Sequence, residues 1–94
     1  MAAFSTALVA MWTQEGAIRL GNALRTLRAT HGLSQETVAH RAGITKNQLQ
    51  LIEAGRSTGR ADATGPSNPR MATLAGLANV LEVSVAELMA TAKL

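Results

Sequence analysis

Side chains that can hydrogen-bond to the edges of nucleic-acid bases stand close together between residues 46 and 50. Lys46 can donate to guanine O6 or N7, and Asn47 or Gln50 can each form a bidentate pair with adenine N6 and N7. Such side chains can read a base sequence only where a rigid element carries them into a groove, and the major groove admits one α-helix. We therefore expect the surrounding residues to form a helix that presents these side chains on its outer face.

The first element of this region is a short helix that ends in a tight turn. Ser34 is a residue type that caps helices, because its side-chain oxygen can accept from the free N–H groups of the first turn. Gly43 follows the last apolar residue of the helix, where a left-handed backbone favours glycine. The apolar stripe of this helix consists of Val38, Ala39 and Ala42.

The second element is the helix that carries the polar side chains described above. Thr45 and Gln48 have the spacing of a capping box, which predicts that the helix begins at Lys46 and continues to about Ala54. Leu49 and Ile52 then point inward, and the polar side chains are left on the outside. Two short helices joined in this way are typical of a helix-turn-helix that reads DNA.

Residues 34–55 resemble the helix-turn-helix of the Cro-type, lambda-repressor-like family. The resemblance extends over the flanking sequences and covers residues 18–89, about three quarters of the chain. It implies an all-α, compact five-helix DNA-binding domain, to which this chain adds an N-terminal helix. The residues that match the family within the motif are Gln35, Ala39, Gly43, Ile44, Leu49, Ile52, Glu53 and Gly55.

The resemblance also implies roles for single residues of the motif. It makes Lys46 and Asn47 the main base contacts, and it places Leu51 where an apolar side chain meets a thymine methyl. Leu51 is large for that position, so a partly buried core role is the alternative. Gln35 corresponds to a glutamine that binds a phosphate at a helix N-terminus, where free N–H groups favour an anion. Further candidates for phosphate contact are Thr45, Gln48, Arg56 and Arg60.

A first helix is predicted from Ala17 to His31, with its buried stripe formed by leucines. Arg28 of this helix resembles a family arginine that pairs with the glutamate at the end of the recognition helix, which is Glu53 here. Such a pair would tie the two helices together. The alternative is an exposed arginine that contributes little to stability.

Composition fits a single small domain whose partner is a polyanion. The chain has 94 residues and a net charge of +3, and residues 16–70 alone carry +5, with eight of the nine Lys and Arg and three of the six Asp and Glu. Cysteine is absent, which excludes disulfides and thiolate zinc sites. We expect no catalytic residue, no metal and no cofactor, because the sequence shows no nucleophile–base set, carboxylate pair or metal-ligand cluster.

The N-terminal residues lie outside the family match and form their own amphipathic pattern. Apolar side chains at helical spacing predict a helix over residues 2–14, and Gly16 is expected to separate it from the domain of residues 16–94. Two interpretations of residues 1–15 stay open: a dimerisation element, or a segment that folds back on its own domain or frays as a chain terminus. The large apolar side chains concerned are Phe4, Leu8, Met11 and Trp12.

The residues after the motif comprise a long loop and two further helices. The loop of residues 56–69 is about ten residues longer than the family usually has, and it could be a tolerated insertion, a DNA-contacting arm or a partner site. A fourth helix follows Pro69 and includes Met71 in its apolar set, with Asn68 as an alternative to Arg70 for its cap. Ser84 begins a fifth helix with an S-x-x-E capping box.

Three functions follow from these observations, in decreasing order of support. The first is a sequence-specific transcription regulator, a repressor that binds double-stranded DNA as a homodimer on a palindromic operator. The second is an antitoxin-type module that binds a toxin protein and represses its own operon. An enzyme ranks far behind. No signal peptide or membrane-spanning segment is predicted, so we expect a cytoplasmic protein that is found at the nucleoid when bound to DNA.

Overall fold

The computed structural model describes residues 12–58 and 65–94, and this part of the chain contains five α-helices. The predicted all-α, five-helix fold class is confirmed. The predicted N-terminal helix falls largely on residues 1–11, which lie outside the described residues. The helices are α1 Gln14–Thr30, α2 Gln35–Ala42, α3 Lys46–Glu53, α4 Met71–Val80 and α5 Val85–Thr91.

The core of the domain is aliphatic, as the near absence of aromatic residues requires. Helix α1 packs against α3 and α5, and α2 packs against α3 and α4. The two longer helices, α1 and α4, therefore cover the helix-turn-helix formed by α2 and α3, with α1 on α3 and α4 on α2. Burial of leucine side chains contributes about 1.5–3 kcal/mol each relative to exposure. The largest fully buried side chains are Leu20, Leu24, Val38, Leu49, Leu77, Leu81 and Leu88.

The helix ends follow the signals in the sequence. The predicted caps are confirmed: Ser34 Oγ accepts from the backbone of α2, and capping boxes begin α3 and α5. Gly32 and Gly43 have φ values of 64° and 77°, the left-handed backbone that lets the chain leave α1 and α2. These short connections fix the angle at which α3 emerges from the domain.

One predicted helix boundary was wrong, and two details of α4 are set by the structure. Helix α1 begins at Gln14 and contains Gly16, because Thr13 Oγ1 accepts from the Gly16 N–H at 3.1 Å and caps the helix three residues earlier than expected. Helix α4 follows Arg70, which offers no side-chain cap, so Asn68 does not begin it. Met71 is 66% exposed because it lies at the start of α4, before the core is reached.

No single helix among residues 12–58 and 65–94 is both long and apolar enough to cross a membrane. Only α4 and α5 taken together reach that length and hydropathy, and they do so across a bend of 86°. Their apolar side chains Leu74, Leu77 and Leu88 are buried in the core of the domain.

Candidate nucleic-acid interface

Helix α3 has one buried side and one side that faces solvent. Leu49 and Ile52 are buried against the core, whereas Lys46, Asn47 and Gln50 are exposed. Helix α3 is eight residues long, about 12 Å at 1.5 Å per residue, and a capping box fixes its beginning. The three polar side chains predicted to read bases therefore lie on the solvent side of one short helix.

Thr45 and Gln48 are held by each other at the beginning of α3. Gln48 Oε1 accepts from the Thr45 N–H at 2.9 Å, and Thr45 Oγ1 accepts from the Gln48 N–H at 3.0 Å. Of the two side chains, the cap uses only the oxygen atoms, as acceptors. The hydroxyl proton of Thr45 and the amide N–H groups of Gln48 stay available as donors to an anion beside the helix.

Glu53, at the end of α3, is the residue on which three helices converge. It is only 3% exposed. Arg28 donates to both carboxylate oxygens, from Nε to Oε2 at 2.9 Å and from Nη2 to Oε1 at 3.0 Å. Gln35 Nε2 donates to Oε1 at 2.9 Å, and Arg25 Nη2 donates to the Glu53 carbonyl at 3.0 Å. Helices α1 and α2 thereby fix the end of the helix that carries the base-reading candidates.

The bidentate pair between Arg28 and Glu53 has the geometry in which Arg–carboxylate contacts are strongest. The hydrogen bond from Arg28 to Glu53 outweighs the cost of burial and raises the pKa of the Arg28 guanidinium above its ordinary value. Arg28 also donates from Nη1 to the Leu33 carbonyl at 3.1 Å. The charge of this arginine is thus used inside the fold and is not offered to a ligand.

Gln35, predicted to contact a phosphate, occupies the first residue of α2 and is partly buried. Its contact with Glu53 uses one of the two N–H groups of its amide. The second N–H remains for another acceptor. The structure therefore gives Gln35 a bracing role between α2 and α3, and its role toward a phosphate stays a prediction.

Helices α1 and α3 approach so closely that a side chain would not fit between them at one point. A Cβ placed on Gly21 would lie 2.3 Å from the carbonyl oxygen of Glu53 and 2.7 Å from that of Ile52. Since both neighbours are backbone atoms, a methyl group at this position would require the helices to separate. Gly21 thus lets the backbone of α1 support the C-terminal end of α3 directly.

The loop after α3 closes into a short paired stem. Ser67 N–H donates to the Gly55 carbonyl at 3.1 Å, Ser57 N–H donates to the Gly65 carbonyl at 3.2 Å, and Arg56 forms an antiparallel bridge with Pro66. We call these two segments, residues 55–57 and 65–67, the loop stem. Arg60, predicted to contact a phosphate, falls within residues 59–64, outside the described residues.

A basic groove of about 540 Å³ lies between α3, the loop stem and the beginning of α4. It brings Gln48 and Leu51 of α3 beside two arginines, Arg56 of the loop stem and Arg70 at the N-terminus of α4. Leu51 is half-buried here, which is intermediate between the two roles predicted for it. The groove thus joins the outer face of α3 to positive charge.

Arg70 is not among the residues that the sequence predicts to contact a phosphate; it was considered only as a cap of the fourth helix. The structure places it at the N-terminus of a ten-residue helix whose first N–H groups receive no side-chain cap. A helix N-terminus without a cap, next to an arginine, favours an anion. The useful signal in the sequence was the replacement of a capping residue by a basic one directly after Pro69.

Comparisons with known proteins agree with this geometry. A family model described as a helix-turn-helix domain matches residues 19–90. No significant match was found among curated proteins. The chain is similar to the crystal structure of the clp gene regulator ClgR from Corynebacterium glutamicum, with 26% identity, a TM-score of 0.70, and coverage of 83% of this chain and 72% of that one.

The chain is also similar to a second solved structure, of which nearly the whole length is matched. It is the restriction-modification controller protein C.AhdI from Aeromonas hydrophila, with 30% identity, a TM-score of 0.64, and coverage of 77% of this chain and 94% of that one. The matched family model spans all five helices described above except the ends of α1 and α5. The chain therefore belongs to the helix-turn-helix domain family, in its Cro and lambda-repressor-like branch of DNA-binding transcription regulators.

Proposed function

We propose that this protein is a sequence-specific repressor of transcription that places α3 in the major groove of double-stranded DNA. The observation that carries the proposal is the solvent-facing row of Lys46, Asn47 and Gln50 on a short helix whose other side is buried. Lys46 and Asn47, nearest the N-terminal end, are proposed as the main base contacts, with Gln50 and Leu51 further along the helix. Similarity to two gene-control proteins supports this class of function.

Phosphate contacts near α3 would fix its orientation on the duplex. We propose Gln35 and the remaining donors of Thr45 and Gln48 as such contacts. Arg56 borders the basic groove that Gln48 also lines, together with Arg70 and the N-terminus of α4. Such contacts add affinity that depends on salt and carry no sequence information.

We further propose that the protein binds as a homodimer to a roughly palindromic operator. One α3 helix contacts few base pairs, and two copies reading half-sites about 34 Å apart would supply the missing affinity and specificity. Repression is the simplest consequence of such binding, because occupying a promoter requires no further domain. The function requires access to DNA, in keeping with the cytoplasmic location expected from the sequence.

The antitoxin-type alternative relied on the N-terminal apolar residues and the long loop as a surface for a partner protein. Phe4, Leu8 and Met11 lie outside the described residues. Trp12 packs against the core of its own domain and its indole N–H donates to the Ser67 carbonyl, so this N–H is not available to a partner. The contact uses one of the apolar side chains on which the alternative relied.

Selection of bound sequences from random double-stranded DNA by the purified full-length protein tests the proposal. We expect enrichment of a palindromic consensus with half-sites about one helical turn apart. A folded protein that enriches no sequence would contradict it. A variant lacking residues 1–11, examined by mass in solution, tests the dimer separately, because an unchanged oligomeric state would exclude these residues as the dimerisation element.

A further inference from the structure

Two side chains, one at the start of α1 and one just before it, donate hydrogen bonds to the loop stem. Trp12 Nε1 donates to the Ser67 carbonyl at 2.7 Å, across 55 residues of sequence. Gln14 Nε2 donates to the Gly55 carbonyl at 2.8 Å, across 41 residues. Each segment of the stem is held by one of these hydrogen bonds, since Gly55 lies in the first segment and Ser67 in the second.

These hydrogen bonds are made at buried backbone positions that are also paired with each other. Gly55 and Ser67 are both buried, and the Gly55 carbonyl accepts from the Ser67 N–H as well as from Gln14. The backbone of Gly55 lies directly against α1, because a Cβ placed there would be 2.9 Å from Cγ1 of Ile18. The start of α1 therefore forms the support on which the stem rests.

The same stem borders the basic groove beside α3. Arg56 follows Gly55 directly, and both Arg56 and Ser67 line the groove. Arg70, which also lines it, follows Ser67 by three residues and leads into α4. Any displacement of Gly55 or Ser67 would therefore move the two arginines relative to α3.

We propose that Trp12 and Gln14 are positioning residues for DNA binding: they hold the stem of the inserted loop so that Arg56 and Arg70 stay at the groove beside α3, where they can contact the DNA backbone. This inference rests on the proposed function. Trp12 and Gln14 lie just before the residues that match the family. We infer that the longer loop needs an additional anchor, and that these two residues supply it by holding the stem at a fixed position relative to α3.

Amide hydrogen exchange tests the anchor itself without any DNA. Trp12→Phe keeps an aromatic ring and removes the donor, and Gln14→Met keeps the length of the side chain and removes the donor. We expect the Ser57 and Ser67 amides, which close the stem, to exchange about fivefold faster in each variant, the effect of losing one hydrogen bond worth about 1 kcal/mol. Glu15→Gln, at the neighbouring exposed position, should leave both amides unchanged.

The Leu49 amide inside α3 serves as the internal reference in the same experiment, because it bonds to the Thr45 carbonyl within the helix. An increase at Ser57 and Ser67 with no change at Leu49 indicates a local opening of the stem. Equal acceleration of all three amides would mean that the substitutions destabilise the whole domain, and unchanged exchange at the stem would mean that Trp12 and Gln14 do not hold it. Either result overturns the proposal.

Binding to a duplex of random sequence, measured across salt concentrations, then connects the anchor to phosphate binding. Each phosphate that the protein neutralises adds about 0.9 to the slope of log affinity against log salt. We expect Trp12→Phe and Gln14→Met to lower this slope by about 0.9 for each of Arg56 and Arg70 that is no longer held beside the DNA backbone. In an Arg56→Ala background the same substitutions should lower it less, because Arg56 is already absent.

An unchanged salt slope in both variants, or equal decreases with and without Arg56, would overturn the proposal. Failure of the proposed function would look different: the wild-type protein would select no DNA sequence, although exchange at the stem would still depend on Trp12 and Gln14. Trp12 is the single tryptophan of the chain, so its fluorescence gives an independent check that the indole keeps its partly buried environment in Gln14→Met.

Discussion

Removing the carboxylate of Glu53 is the perturbation that most directly challenges the structural account of how α3 is held. In Glu53→Ala the guanidinium of Arg28 loses both of its hydrogen bonds to the carboxylate and keeps only the Leu33 carbonyl. Gln35 Nε2 loses its acceptor as well. Arg25 retains its bond to the backbone carbonyl of residue 53, because that bond does not involve the side chain.

The expected cost follows from the burial of the two partners. The side chains of Glu53 and Arg28 are 2% and 19% exposed, so the pair belongs to the partly buried class and not to the exposed class worth about 0–1 kcal/mol. Breaking a buried pair by removing one partner costs about 3–5 kcal/mol. We expect a loss near the lower value, since Arg28 keeps some contact with water, and about 3 kcal/mol would lower Tm by roughly 12 °C or more in a domain of this size.

Urea unfolding of the full-length protein measures this loss, with two variants for comparison. Glu36→Ala removes an exposed carboxylate from the first turn of α2 and should cost less than about 1 kcal/mol. The double substitution Arg28→Met with Glu53→Leu removes the pair without stranding a charge and should recover most of the stability. A loss below about 1 kcal/mol in Glu53→Ala would show that Glu53 behaves like an exposed residue and that the pair with Arg28 does not hold α3 in place.

Three further predictions concern the support, the start and the surroundings of α3. Gly21→Ala should destabilise the domain by about 1–3 kcal/mol in urea unfolding, because the new methyl group meets the Glu53 carbonyl. This loss is expected although alanine has the better helix propensity. A stabilised variant would contradict the close approach of α1 and α3. Thr45→Ala should cost about 1 kcal/mol through loss of the cap, and Thr45→Ser, which retains the hydroxyl, should restore most of it. Arg56→Ala should weaken binding to all DNA sequences alike and lower the salt slope by about one, and a change in base preference would assign it a different role.

The motif itself could be predicted from sequence because its signals are local. The cap at Ser34, the capping box of Thr45 and Gln48, and the turn at Gly43 each act within a few residues of the chain. Local hydrogen bonds and backbone preferences therefore determine where α2 and α3 begin and end. The spacing of Leu49 and Ile52 then decides which side of α3 faces the core.

What the sequence did not predict depends on contacts between distant residues. Gly16 was expected to separate two elements, but the Thr13 cap and the burial of Gly16 against the domain outweigh its low helix propensity. Trp12 was grouped with the N-terminal apolar residues, although its indole N–H is used by Ser67. No local pattern predicts a hydrogen-bond partner that lies 55 residues away in the sequence. The place of Arg70 in the basic groove was not predicted for the same reason. Arg70 and Arg56 line one groove only because the loop stem brings their segments together.

The proposal that Lys46 and Asn47 of α3 read bases can be tested with a binding matrix. Affinities of the wild-type protein, Lys46→Ala and Asn47→Ala are measured on the selected operator and on each of its single-base-pair variants. We expect each substitution to remove about 1–3 kcal/mol of discrimination at one base-pair position and to leave discrimination at the others intact. Weaker binding by the same factor on every duplex, with the base preferences unchanged, would contradict it.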